Sequence, residues 1–255
     1  MKREVAIIHF NTPELTEAAI LSLRKHGGED YHVTVLDNSC TVRFPAGMGL
    51  PERVIEARPF KKRMKGVKRL DNTNGQIVDF AKELAKYPDR NHDHAACNDW
   101  GSVKHILSVQ ALWDIIDKPF LLMESDVLLR KDVDFMFQDE EAVVGHIQDP
   151  QPGNRFGIGR LVPMLCYMNV PMLKKCGARY FDPERSWMLY PGEDDRRNWY
   201  DTGACLLEDV RSHKNGLRGK RIDIRPLILH KQSGSWNKHK VDDVDWLEKH
   251  ADLWR

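Results

Sequence analysis

Three short polar clusters each follow an apolar run of strand length: Phe10-Asn11-Thr12, Asp37-Asn38-Ser39 and Glu124-Ser125-Asp126. In open α/β sheets ligands collect at the carboxyl ends of the strands, so three clusters in such places are worth more than any one of them. Within an extended segment Glu124 and Asp126 fall on one face with Ser125 pointing away, an arrangement in which two carboxylates can share a hard divalent cation. Such a cation can in turn hold a pyrophosphate. The plainer reading of the same triplet is a set of helix-capping acids that ends a strand.

The elements that must position these groups follow from the patterning. Val5 to Phe10 is a continuous β-favouring run, as in a strand covered on both faces of a parallel sheet. Thr12 and Pro13 open a helix whose apolar positions Leu15, Ala18, Ala19, Leu21 and Leu23 recur until Gly27-Gly28. Tyr31 to Leu36 is a second strand, which completes a βαβ unit. A helix is expected over Gln76 to Leu84 and another from the Ser102 cap to Ile116, followed by a buried strand over Pro119 to Met123. Residues 139 to 160, acidic and then rich in Gly and Pro, read as a mobile loop between two halves. The second half is less regular, with a strand over Leu161 to Val170, an aromatic and charged loop over Arg185 to Trp199, a helix over Gly203 to His213 and a strand over Ile222 to Leu229. The tail from Val241 to Arg255 reads as a docking helix, with peripheral membrane contact through its tryptophans as a second reading.

Composition removes several classes of function. Over 255 residues, 39 Lys and Arg balance 38 Asp and Glu to a formal charge of +1, so no global basic field argues for nucleic-acid binding. A 41% apolar fraction is that of an ordinary globular protein. No run approaches the roughly 18 apolar residues of a membrane span. Five cysteines without a CxxC pair disfavour a disulfide framework or zinc ribbon, and His92-Asp93-His94 with Cys97 lacks the second ligand pair of a zinc site. The N-terminal residues lack a signal-like apolar region, and a cytoplasmic location is expected. Seven basic residues between Arg58 and Arg69 read either as a solvated face or as a phosphate or lipid-headgroup contact.

The opening "VAIIHFNTPELTEAAILSL…VTVLDNS", the segment "GSVKHILSVQALWDIIDKPFLLMESDVLLRKD", and the later "WYDTGACLLEDV" and "LILHKQSGSW" together resemble family 2 glycosyltransferases over about two thirds of the chain. Where that family usually has Asp-x-Asp, this chain has Glu124-Ser125-Asp126. The resemblance implies a single glycosyltransferase A domain of the Rossmann-like α/β class, with a mostly parallel sheet flanked by helices. Residues 1–138 would form the nucleotide-sugar-binding half, 139–240 the acceptor-side half and 241–255 a C-terminal helix. It further implies that Phe10, Asn11, Thr12 and Ser125 pack around a nucleotide and that Asp37 accepts a hydrogen bond from its base, the alternative for Asp37 being a turn-forming Asx residue. Asp126 and His230 would ligate Mn²⁺ or Mg²⁺, with Glu124 as a further candidate, and an imidazole ligand favours manganese. Lys231 would help the metal neutralise the departing diphosphate.

The acceptor hydroxyl needs a base. The resemblance favours Asp201, which precedes a helix and a later strand ending in His230. Asp194 and Asp195 are the alternatives, and Asp201 has a second reading as a helix N-cap. Trp187, Tyr190 and Trp199 flank this region as sugar-stacking or core aromatics. The expected function is a metal-dependent inverting transfer from a nucleotide-diphosphate sugar, UDP-linked by preference, to a carbohydrate or lipid-linked hydroxyl, as in polysaccharide biosynthesis. Two rivals stand beside it. A sugar-phosphate nucleotidyltransferase usually has a Gly-rich basic loop after the first strand, where this chain has Asn11-Thr12-Pro13-Glu14. The other rival is an inactive nucleotide-sugar-binding protein.

Overall fold

β1 (Arg3–His9) alternates its buried residues between two cores, Ala6 and Ile8 on one side and Val5 and Ile7 on the other, as the two-residue period of a strand requires. A strand covered on both faces must be flanked by helices, and it is. α1 (Pro13–Gly27) sends Ala19, Ile20 and Leu23 into the core of Val5 and Ile7, while α2 (Gly101–Ile115) sends Ile106, Leu107, Leu112 and Trp113 into the opposite one. Each Ile or Leu among them contributes roughly 1.5–3 kcal/mol on burial. The computed structural model describes residues 2–27, 30–39, 44–45, 51–58, 77–79, 101–151, 158–182, 185, 201–212, 216–231 and 241–255, with backbone alone for 56–58, 77–79, 101–104 and 241–242.

The remaining elements complete one continuous sheet. β2 (Tyr31–Asp37), β3 (Arg53–Arg58) and β4 (Ile77–Asp79) extend it on one side of β1. β5 (Phe120–Glu124), β8 (Arg160–Met168), β7 (Val143–Gln148) and β9 (Gly219–Arg221) extend it on the other. The spatial order of the eight strands is β4-β3-β2-β1-β5-β8-β7-β9. β8 pairs antiparallel with both neighbours and the other pairs are parallel, so the mostly parallel α/β sheet expected from the sequence is present. A second sheet of two strands joins β6 (Val127–Leu129) to β10 (Ile228–His230). α3 (Val170–Lys175), α4 (Ala204–Arg211) and α5 (Val241–Lys249) complete the described helices. None of the described helices is long and apolar enough to cross a membrane.

The structure departs from the sequence expectations in four places. Residues 77–79 of the expected 76–84 helix form strand β4, because β-branched Ile77 and Val78 find a parallel partner in β3. β3 itself carries no clear sequence signal. The expected loop over 139–160 contains β7, since Val143 and Val144 are wholly buried between β8 and β9. The expected 222–229 strand contracts to β10, because residues 225–227 turn after Asp223, whose carboxylate accepts the Arg225 N–H. The tail is helical only through Lys249 and then tightens into a 3-10 turn at Ala251–Leu253.

Candidate metal centre

The strand order reverses direction between β1 and β5, and the carboxyl ends of these two neighbours are where an α/β sheet opens a crevice. Ile8 lies beside Glu124 in that pair, so the loop after β1 and the acidic triplet after β5 are brought together by register alone. Asn11 adopts the left-handed conformation (φ 59°), which Asn tolerates better than most residues, and its N–H donates to the Ser39 hydroxyl at 2.8 Å. Thr12 donates to the Phe10 carbonyl. His9 is fully buried beneath them; because the Thr16 hydroxyl donates to the Thr12 carbonyl, the 2.7 Å contact to His9 requires Nδ1 to carry the proton.

Asp37 is buried, and its two carboxylate oxygens accept the Ser39 and Phe44 N–H groups at 2.9 and 3.0 Å. The Asx-turn reading of Asp37 is therefore realised in the fold.

The acidic triplet does not form one extended segment. Ser125 and Asp126 make a turn between β5 and β6, and the carboxylates converge because β6 leaves the main sheet to pair with β10. That antiparallel pair sets Val127 opposite His230, and the Lys231 N–H donates to the Asp126 carbonyl at 2.9 Å, extending the ladder to the site. Asp126 Oδ1 lies 3.4 Å from His230 Nε2, and Glu124 Oε2 lies 3.7 Å from the same nitrogen. One ligand atom from each of the three residues falls within 4.8 Å of the others. Asp126 and His230, 104 positions apart in sequence, thus share one locus.

Among the described residues, burial and like charge both act on the acids of this locus. Burial pushes the Glu124 carboxyl up to about 7, the Asp126 charge adds to the effect, and His230 and Arg160 oppose it. Burial opposes a charge on His230, but the hydrogen bond and charge of Asp126, with the charge of Glu124, carry its pKa above the ordinary histidine value. Two carboxylates with one imidazole are a donor set that could hold a divalent cation, and it suits Mn²⁺ and, less well, Mg²⁺.

Asp201 is 6% exposed, and its charge reaches Glu124. Its Oδ2 accepts from the Arg160 guanidinium at 3.1 Å and its Oδ1 from the Thr202 N–H at 2.7 Å. Gly203 caps α4 at φ 77°, a conformation that suits glycine. Ser125 is buried in the turn. The Lys231 ammonium forms a buried ion pair with Asp243 of α5. Asp194, Asp195, Trp187, Tyr190, Trp199, the histidines at 92 and 94, Cys97 and the basic stretch beyond Arg58 lie outside the described residues.

Among the described residues, Arg160 and His105 escaped the sequence reading. Arg160 carried no signal beyond a charge at the head of a strand. His105, on the apolar face of α2, carried a weak one, a lone histidine among core positions. Its Nδ1 lies 3.0 Å from the Thr202 hydroxyl and its Nε2 3.7 Å from Glu124 Oε1, and burial, helped by the Arg160 charge, holds its pKa down to about 4.

No protein-family model matches the sequence, and a search of curated proteins finds no match. Among solved structures, mouse xyloside xylosyltransferase 1 is similar at 10% identity over 96% of this chain and 92% of its own, with a TM-score of 0.45. The galactosyltransferase LgtC, in complex with donor and acceptor sugar analogues, is similar at 14% identity over 85% of this chain and 72% of its own, with a TM-score of 0.43. The glycosyltransferase GlyE of Streptococcus pneumoniae is similar at 15% identity over 96% of this chain and 60% of its own, with a TM-score of 0.42.

Proposed function

We propose that the protein is a metal-dependent glycosyltransferase of the glycosyltransferase A type, taking a sugar from a nucleotide diphosphate, UDP by preference, to a hydroxyl acceptor. The observation that carries this reading is the convergence of Glu124, Asp126 and His230 at the strand-order reversal between β1 and β5. Asp126 and His230 would hold Mn²⁺ or Mg²⁺, with Glu124 as the third protein donor. The cation, when bound, supplies positive charge to the diphosphate as the bond to the sugar breaks.

The chain's own residues do the rest. The loop of Phe10, Asn11 and Thr12, braced on Ser39, forms the wall beside the nucleotide, with Ser125 in the turn beside it. Asp37 shapes the adjoining loop through two backbone amides, and its carboxylate would accept a base N–H. Lys231 fixes the end of β10 to Asp126, and a contact from its ammonium to phosphate requires the Asp243 pair to open. Asp201 is our assignment for the base that takes the acceptor's proton in an inverting displacement, its carboxylate held in orientation by Arg160 and the Thr202 amide. Asp194 and Asp195 are the alternatives.

Titration calorimetry with UDP, with and without Mn²⁺, tests the reading. The wild type should bind UDP in a manganese-dependent way and Asp126→Ala should not. Equal UDP affinity with and without the metal refutes the site. Slow manganese-dependent hydrolysis of a UDP-sugar without acceptor separates an enzyme from an inactive binding protein.

A further inference from the structure

Resting on the metal reading above, we propose that His105 is a positioning residue of the cation site, which the Thr202 hydroxyl holds through Nδ1 so that Nε2–H turns Glu124 Oε1 away and leaves Oε2 to the cation. The geometry is asymmetric in the way this requires. Glu124 Oε1 faces His105 Nε2 at 3.7 Å, and Glu124 Oε2 faces His230 Nε2 at the same distance. One carboxylate is thus flanked by two imidazoles, only one of which belongs to the group that closes within 4.8 Å.

His105 Nε2 is buried without a hydrogen-bond partner in this arrangement, and a buried polar atom left so costs stability unless a partner closes on it. Among the described residues Glu124 Oε1 is a carboxylate oxygen within 4 Å of this nitrogen, at 3.7 Å and so beyond the ordinary hydrogen-bond range of about 3.0–3.5 Å. At the other end of the ring, Thr202 Oγ1 lies 3.0 Å from Nδ1, and when its hydroxyl donates there the ring proton sits on Nε2. A carboxylate with free rotation spreads its two oxygens over several orientations, whereas one anchored through a single oxygen presents the other in a fixed direction, and outer partners of this kind are worth 10–100-fold in metal affinity. The anchor has a second consequence. Thr202 adjoins Asp201, so the same ring joins the cation's carboxylate to the segment that carries the assigned base.

The test is manganese binding by the whole chain without nucleotide, followed by electron paramagnetic resonance of free Mn²⁺. His105→Asn places its amide near the Nδ1 position and cannot reach Glu124, whereas His105→Gln places a donor near Nε2. The proposal expects the Asn variant to bind Mn²⁺ about 10–100-fold more weakly than wild type and the Gln variant to stay within about threefold. A role in packing alone moves both variants together and predicts no such split. Near-wild-type affinity in the Asn variant, or equal loss in both, overturns the proposal. If His105→Asn does not fold, Thr202→Val, which frees the ring at its other end, should weaken binding about tenfold, and unchanged affinity there overturns the proposal equally. Asp126→Ala separates the two levels of the argument. A folded wild type with no saturable binding beyond that of Asp126→Ala sinks the metal reading itself, whereas wild-type binding that Asp126→Ala abolishes and His105→Asn preserves sinks only the role of His105.

Discussion

Glu124→Gln should stabilise the metal-free protein at alkaline pH while removing one donor of the proposed cation site. Glu124 ionises at about 7 in the folded chain against 4.5 as a free side chain. A raised carboxyl pKa contributes stability that is present in full below the unfolded value and is lost as pH rises through the folded one, because the unfolded state releases the proton first. At 1.36 kcal/mol per pKa unit the full loss is roughly 3 kcal/mol. Glutamine keeps the shape and never ionises, so it escapes that loss, but it also withdraws one of the two carboxylates that favour the charged form of His230. The net gain should be about 1–3 kcal/mol at pH 8 and under about 1 kcal/mol at pH 5. Urea unfolding in EDTA at the two pH values measures the difference. Saturating Mn²⁺ at about 100 times its Kd should then add about 2.7 kcal/mol to the wild type and nothing to the variant. The same stability difference at both pH values, or a variant less stable at pH 8, refutes the account of a carboxylate that is costly to ionise until a cation arrives.

Two further outcomes follow from the neighbouring segment. Asp201→Asn should retain manganese-dependent UDP binding and lose transfer by about 10²-fold or more, as removal of a general base does. Unchanged turnover, measured by release of UDP with a competent acceptor, moves the base to Asp194 or Asp195. Gly203→Ala should cost about 2 kcal/mol or more by chemical denaturation, since its φ is 77° and an added Cβ would stand 2.2 Å from the Leu161 carbonyl oxygen. A loss under about 0.5 kcal/mol would show that the turn into α4 can relax.

Local chemistry made part of this protein legible from its residues. The β1–α1–β2 unit was visible because a doubly covered strand must be apolar throughout, and the helix that follows announces itself by Pro13 and its periodic leucines and alanines. The acidic triplet was visible because carboxylates at a strand end are chemically conspicuous. Short strands were not. Ile77 and Val78 have no intrinsic commitment that outweighs a neighbour, and β3 supplied the neighbour; Val143 and Val144 were concealed by the acidic and Gly/Pro-rich residues around them. Glu124, Asp126 and His230 were each nameable from the sequence, but their meeting depends on β6 turning out of the main sheet to pair with β10, a long-range register that local pattern does not encode. The same holds for His105 and Arg160, which belong to the site through the helix and strand that carry them past it. Residue type therefore determined which groups could do chemistry, whereas the pairing of distant strands decided which of them meet at one locus, because pKa values and metal affinity depend on separations of a few ångströms and not on position along the chain.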